Sequence, residues 1–541
     1  MKKAFLLPLS LMLIVILLVM GCGEPTPTPS PTPTPTQPSV TPTPTPSATK
    51  TPTPTATPTP TIKQGGTLRF IYQFSPASTP GWPGDTTNPQ KLWTCWILFE
   101  ALVKLDSAGV PSPWLATDWK WGPENAYIDI NLREDVKFHD GTNFTAESVV
   151  THVNQLFTDK DSATTNWDRV EKTGDYSFRL YLKLYMRDFW NSLAAWSMFF
   201  TSDTALKEKG LDYVKENPIG TGPFKFASFE KDVSLKFVKN DNYWQAGKPY
   251  LDAIEFYTTK EDLTQQAKME ANEGDILTLK TGKILKDLGD QGFVVITMTG
   301  SSNFIMFDTA NEGVATNDPK VRMAIEYALN KQEIADSLGY GGMKPNNQIP
   351  FTGNPAFNPN LDTREYDPDR ARELLEEAGY ATGLNLKMIS DVSGQDFAIM
   401  FQQYLADVGI TLELEMVDNA KLWNYLFTGW TGMISTGYAM GTNLPNFIRT
   451  YFPPIGVFDV SVKIPDDILA KCNAAMVEID DAKFRAMSVE ISEWIFDEAF
   501  FVPTVGVAMG YIFRPEVKDH DLMGPFVDFT VWSPENTWLD R

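Results

Sequence analysis

The sequence predicts an α/β fold. Three features carry that expectation: a β-α-β-α-β run in the second half, two proline-led helices before it, and alternating strands in the first half. Gly66–Tyr72, Tyr127–Leu132 and Tyr176–Leu182 alternate apolar and polar residues, the period of half-buried strands, and Gly, Pro and Asp turns join them. In the second half, Asn317-Asp318-Pro319 supplies a cap and a first-turn proline. Val321, Ala324, Ile325, Ala328 and Leu329 then recur at helical spacing and form one buried stripe. Asp367-Pro368 opens another helix, with Ala371, Leu374, Leu375 and Ala378 inward and Gly379 ending it. Strand Leu384–Ser390 follows, then a helix burying Phe397, Met400, Phe401, Tyr404 and Leu405. Strand Ile410–Met416, a helix near Ala420–Phe427 and strand Gly432–Tyr438 complete the run. That order implies parallel strands with crossover helices, and such sheets bind ligands beyond the carboxyl ends of their strands. A site is therefore expected after Tyr438.

The N-terminus reads as an address. Lys2 and Lys3 precede an apolar run from Ala4 to Met20, the pattern of a secretory signal peptide. Val19-Met20-Gly21-Cys22 resembles the lipobox of bacterial lipoproteins, which implies a signal peptide over 1–21 and lipidation at Cys22. Acyl chains at about 0.8 kcal/mol per buried CH₂ would hold the protein on a membrane. Residues 22–61 are a Thr/Pro-rich stalk in which proline forbids helix and sheet, leaving extended polyproline II. At about 3.1 Å per residue it reaches up to about 120 Å. No later stretch has the ~20 apolar residues of a spanning helix. About 480 residues remain, enough for two or three domains. The net charge of −22 lacks the clustered Lys and Arg that nucleic acid demands, so no nucleic-acid partner is expected. Besides Cys22 only Cys95 and Cys472 occur, too few for a disulfide framework, and two buried free thiols are expected.

No enzyme motif is present. There is no Gly-x-Ser-x-Gly elbow and no phosphate loop, since Thr281–Lys286 lacks the upstream glycines. His139 and His152 lack zinc-helix spacing and His520 stands alone, so neither metal nor cofactor is expected. In "VKFHDGTNFTAE", Asp140-Gly141 is a turn signal after an alternating strand, and Thr145 caps a helix with Glu147 near its positive end. His139–Asp140 is a turn rather than a catalytic pair.

The same stretch, Leu132–Gly141 continued by Phe144–Val150, closely resembles the signature of family 5 extracellular solute-binding proteins. These are the peptide-, nickel- and oligosaccharide-binding lipoproteins of ATP-driven importers. Gly65–Leu68, Leu98–Asp106, Pro218–Phe226, Asn240–Phe256, "DPKVRMAIEYALNK" and "YDPDRARELLEEAGY" match in order, so the resemblance covers everything after the stalk. It implies the two-lobed periplasmic-binding-protein type II fold with an extra domain inserted in lobe one. Lobe one would comprise 62–90, 218–299 and 500–541, the inserted domain 91–217, and lobe two 300–499. The hinge would lie near Thr299–Asn303 and Ala499–Thr504. The resemblance further implies a non-enzymatic, monomeric, lipid-anchored extracytoplasmic protein that hands a solute to an ABC permease and ATPase complex.

Many peptide binders of the family carry an aspartate-rich segment after the last strand of the run, where one aspartate pairs with the peptide amino group. Here Gly437–Phe447 reads "GYAMGTNLPNF", with Met440 at the anchoring position and no carboxylate. A buried ammonium without a counter-charge is costly. Either the ligand is not an ordinary peptide, or another acid such as Asp308 or Asp391 substitutes. Trp82, Trp430 and Tyr438 are candidate aromatic liners, with core packing as their alternative role. Asn443 and Asn446 offer uncharged hydrogen-bonding groups, and Asn303 could contact ligand from the hinge. A peptide is the family default and an oligosaccharide or other neutral solute the competitor. A ligand sensor without a transport role is the alternative from another class.

Overall fold

The computed structural model describes residues 61–73, 79–84, 92–106, 109–194, 196–280, 282–350, 354–361, 363–439, 443–452, 460–520 and 532–541. The signal segment, Cys22, the stalk and Met440 lie outside the described residues.

One large mixed sheet organises the molecule. Its main strands are β1 (Thr67–Tyr72), β2 (Phe224–Glu230), β3 (Ser234–Lys239), β4 (Ala253–Thr258), β5 (Ile276–Lys280), β6 (Val294–Phe307), β7 (Leu384–Asp391), β8 (Ile410–Val417), β9 (Met433–Ala439) and β10 (Phe501–Phe513). They lie in the order β8-β7-β9-β6-β10-β5-β1-β4-β3-β2, with Lys344–Pro345 pairing on β10 off that path. The parallel run expected from sequence is present: β7 pairs in parallel with both β8 and β9. Helices Gln395–Asp407 and Asn419–Thr428 make the crossovers.

The two long strands β6 and β10 run through both halves of this sheet. Val294–Thr299 of β6 faces Ala508–Phe513 of β10 next to β5, while Phe304–Met306 faces Phe501–Pro503 next to β9. Between these stretches the register slips twice, between Thr299 and Ser301 and between Ser302 and Phe304. Such bulges bend a strand and sharpen its twist.

Side-chain alternation across the strands puts a core on each face of each half. In the β7–β9 half, Met388 and Met433 pack on one side, where the helices from 319 to 407 cover them. Ile389 and Ile434 pack on the other, against helices Leu444–Tyr451, Asp466–Val477 and Asp481–Asp497. In the β1 half, Phe70 and Ile276 share one core, and Ile71 and Leu277 the other. Cys95–Ala101 and Phe199 also belong to the core of Phe70. Cys95 and Cys472 are both buried, in separate cores, and burial pushes the Cys472 thiol up to about 12.

The Val321–Leu329 stripe is buried as expected, but the helix stops at Tyr327. Asn330 starts a new one, Lys331–Gly339, by accepting the Glu333 N–H at 3.0 Å. The break places Lys331 Nζ 2.8 Å from Glu326, whose other oxygen accepts from Arg364 at 2.8 Å. All three charged side chains are buried.

A separate antiparallel sheet is built from Ala116–Trp121, Tyr127–Leu132, Ser177–Leu182 and Trp167–Gly174 in that spatial order. Helix Ala146–Asp159 buries Val149, Val153 and Leu156 against it. His139 closes the turn before that helix: its Nδ1 accepts the Gly220 N–H at 3.3 Å and its Nε2–H donates to the Gly222 carbonyl at 2.9 Å. Burial lowers this neutral imidazole to about 4. Nearby, the buried Glu100 accepts from Tyr243 Oη at 2.8 Å and from the indoles of Trp114 at 2.9 Å and Trp244 at 3.0 Å. Burial outweighs these donors and raises its carboxyl to about 7.

Candidate functional site

One cavity of about 460 Å³ is bordered by Asn443, which opens the helix after β9, by the start of helix Asp481–Asp497 and by residues that follow strand Ser177–Leu182 of the small sheet. One wall comes from Gly109–Pro111 and from Tyr185, Arg187, Trp190 and Asn191, and the other from Pro355, Asn443, Ile479, Asp481, Phe484 and Arg485. Among the described lining residues, Asn443 follows the carboxyl end of β9, where α/β sheets bind ligands, while the ends of β7 and β8 do not border the cavity.

Aromatic packing fixes the small-sheet wall. Trp190 lies 4.8 Å from Trp119 and 6.0 Å from Trp121, and Trp121 lies 5.5 Å from Tyr185 and 4.9 Å from Phe189, all as ring centroids in tilted or edge-on contact. These are the geometries that ring quadrupoles favour. Partial burial holds the Tyr185 phenol above its ordinary pKa, so it is a neutral donor at physiological pH.

Arg187 joins the two walls. Its backbone N–H donates to the Met476 carbonyl at 2.7 Å, and Nη1 donates to the carbonyls of Glu478 at 3.2 Å and Ile479 at 3.1 Å. Nη2 pairs with the Asp481 carboxylate, and the guanidinium stands 4.5 Å over the Phe484 ring. One side chain thus caps carbonyls following helix Asp466–Val477 and neutralises the first residue of helix Asp481–Asp497. Nothing in "YMRDFW" marks Arg187 for this role, because its partners lie about 290 positions away. Trp190, Tyr185 and Arg485 likewise carry no motif.

Of the residues expected to line a site, Asn443 borders the cavity. It also caps helix Leu444–Tyr451, its Oδ1 accepting the Asn446 N–H at 3.0 Å. Asn446 sits half-buried in that helix's first turn and is not among the described cavity residues. Trp82 and Trp430 take the core role instead. Trp82 is 3% exposed and packs 4.9 Å from His152. Trp430 is 4% exposed, and Ser461 Oγ both accepts its backbone N–H and donates to its carbonyl, each at 2.6 Å. Asn303 lies half-buried on β6, its carbonyl accepting from the Thr504 hydroxyl at 2.9 Å. Tyr438 on β9 pairs with Ser302 of β6, but its side chain, like Met440, lies outside the described residues.

The substitute acids are engaged elsewhere. Asp308 is fully buried and accepts the N–H of Asn311 at 3.1 Å and its side-chain amide at 2.9 Å. Asp391 accepts the Ser393 N–H at 2.8 Å. Among the described residues no group of three or more His, Cys, Asp or Glu is placed to hold a metal ion. Among them, too, no helix is long and apolar enough to cross a membrane.

Residues 110–454 match the family described as "Bacterial extracellular solute-binding proteins, family 5 Middle". The glutathione-binding protein GsiB of Pectobacterium atrosepticum is 26% identical over 365 residues, covering 63% of this chain and 70% of that protein. The nickel-binding periplasmic protein of Escherichia coli is 23% identical over 471 residues, covering 80% and 87% respectively. Among solved structures, NikA from Brucella suis in complex with Fe(III)-EDTA superposes with a TM-score of 0.77 at 23% identity, over 87% of this chain and 100% of that one. DppA from Helicobacter pylori in complex with the peptide STSA gives 0.73 at 21% identity, over 88% and 99%. At these identities the structural likeness is one of fold.

Proposed function

We propose, from the premise that this chain belongs to the bacterial extracellular solute-binding proteins of family 5 and has their two-lobed type II periplasmic-binding-protein fold, that it captures a small polar solute or peptide in the cavity bordered by Asn443 and Arg187 and delivers it to an ABC permease. The observation that carries this reading is the cavity itself, bordered by Asn443 beyond the carboxyl end of β9 and walled by two parts of the chain that Arg187 joins. Lobe one (62–90, 218–299 and 500–541) and lobe two (300–499) would move about the slipped register of β6, with 91–217 riding on lobe one. The bulges at Thr299 and Ser302 support a hinge there. Named ligands of the relatives range from glutathione and nickel to a tetrapeptide, so membership alone does not choose a ligand.

Cys22 is the lipidation site in this proposal, with 1–21 removed and 22–61 as a spacer that lets a monomeric binding domain reach its permease. Calorimetry of the whole chain against peptides and oligosaccharides, paired with small-angle scattering, tests the binding role. A binding solute is expected to saturate at one per chain and to reduce the radius of gyration. Binding without compaction would refute capture by lobe closure. Expression with a radiolabelled fatty acid is expected to label the chain, and Cys22→Ala to remove the label.

A further inference from the structure

Charge and hydrogen-bonding capacity around the cavity are lopsided. Two arginines, Arg187 and Arg485, face one aspartate, Asp481, so the described lining keeps one positive charge within a chain of net −22. Arg187 is consumed by its bond to Asp481 and by two carbonyls. Arg485 stands exposed in the first turns of helix Asp481–Asp497, and its guanidinium makes no hydrogen bond or ion pair among the described residues. The N–H groups at the start of that helix are not the attraction, since Asp480 already caps them through Lys483 N–H at 3.0 Å.

The other unspent groups point the same way chemically. An indole N–H and a guanidinium can only donate. Neither the Trp190 indole nor the Tyr185 hydroxyl has a hydrogen bond among the described residues. Asn443 has committed its oxygen to the Asn446 N–H, which leaves its NH₂ to donate. The Tyr185 hydroxyl and the Asn191 amide can also accept, but the charged group left without a bond among the described residues is a donor, Arg485, and it favours a solute that brings acceptors and negative charge. The missing carboxylate in Gly437–Phe447 fits this picture, because an amino group would find no anion there.

We infer that the cavity selects small anionic solutes, with a carboxylate or phosphate oxygen on Arg485 and a ring or apolar portion lying along Trp190. This rests on the cavity being the ligand site, and it sets an anionic solute in place of the neutral-solute alternative. A guanidinium binds either oxyanion through paired N–H donors, so both sources share one chemistry.

Matched probes that differ only in charge test it on the whole chain by calorimetry. Phenyl β-D-glucuronide and the 6-phosphate of phenyl β-D-glucoside are compared with phenyl β-D-glucoside, and N-acetyl-Ala-Phe with its C-terminal amide. At least one acid is expected to bind tenfold or more tightly than its neutral partner, and the glucuronide against the 6-phosphate tells which oxyanion is preferred. Arg485→Gln should erase the difference, and Arg485→Lys should restore part of it. Equal binding of acid and neutral partner, a preference that survives Arg485→Gln, or no binding of any acid at millimolar concentration would each overturn the inference. Asn191→Trp, which fills the cavity from an exposed position, separates this failure from that of the ligand-site reading. Loss of all binding in that variant without any charge preference defeats the anion inference alone. Unchanged binding in it defeats the site, and the inference with it.

Discussion

His139 and His152 show how a residue that looks chemical can be structural. Both imidazoles are lowered to about 4 by burial, and His152 Nε2 lies 2.6 Å from the Ser197 carbonyl. In the unfolded chain each titrates near 6.5. The unfolded state therefore binds more protons between about 6.5 and 4, and the histidines' contribution, full above that window, is lost as pH falls through it. Glu100, raised to about 7, acts in the opposite sense, since its folded form holds the extra proton. Two histidines against one glutamate leave a net loss of about 1.4 kcal/mol per pH unit from these groups. Urea midpoints measured from pH 7 to 4.5 are expected to fall less steeply in a His139→Gln/His152→Gln variant and more steeply in Glu100→Gln. A separate change, Glu326→Ala, strands buried Lys331 and Arg364 and should cost about 3–5 kcal/mol in the same assay. The sequence made the His139 turn legible because Asp140-Gly141 is a turn signal, although the strand expected before it is reduced to an isolated bridge between Lys137 and Asn143. It concealed Arg187, Trp190 and Arg485, whose meaning comes only from what faces them across the cavity.

Elements were easier to read than sites. The β7–β9 run and the helix starts at Pro319 and Pro368 follow from local rules of alternation, capping and proline geometry, and those rules operate within a few residues. The break at Asn330 escaped because the apolar stripe continues across it. The long β6 and β10 escaped as shared strands because their pairing spans about 200 positions. Trp82 and Trp430 were plausible liners on composition, and packing claims them both. Gly432 tests the element scale. It precedes β9 at φ +88°, and a Cβ there would meet the Lys387 carbonyl at 2.6 Å. Gly432→Ala is expected to destabilise the chain by about 1–3 kcal/mol, read from the denaturation midpoint, with the folded spectrum otherwise retained.

At the scale of the whole molecule, Arg187 is what ties the small sheet to the helices across the cavity. Arg187→Ala should leave each core intact yet favour the open arrangement. The expected signs are a larger radius of gyration without ligand and weaker solute binding, with far-UV circular dichroism unchanged. A variant as compact as the parent would show that the lobes meet through other contacts.

Because β6 and β10 carry hydrogen-bonded ladders on both sides of their slipped register, neither half of the large sheet can melt without stripping partners from the other. The heat-capacity trace of this two-lobed chain should therefore show one cooperative endotherm rather than two, with calorimetric and van't Hoff enthalpies in agreement. A solute bound at one wall would then protect backbone amides from hydrogen exchange as far away as β1, and its imprint would be legible across the protein as a single thermodynamic unit.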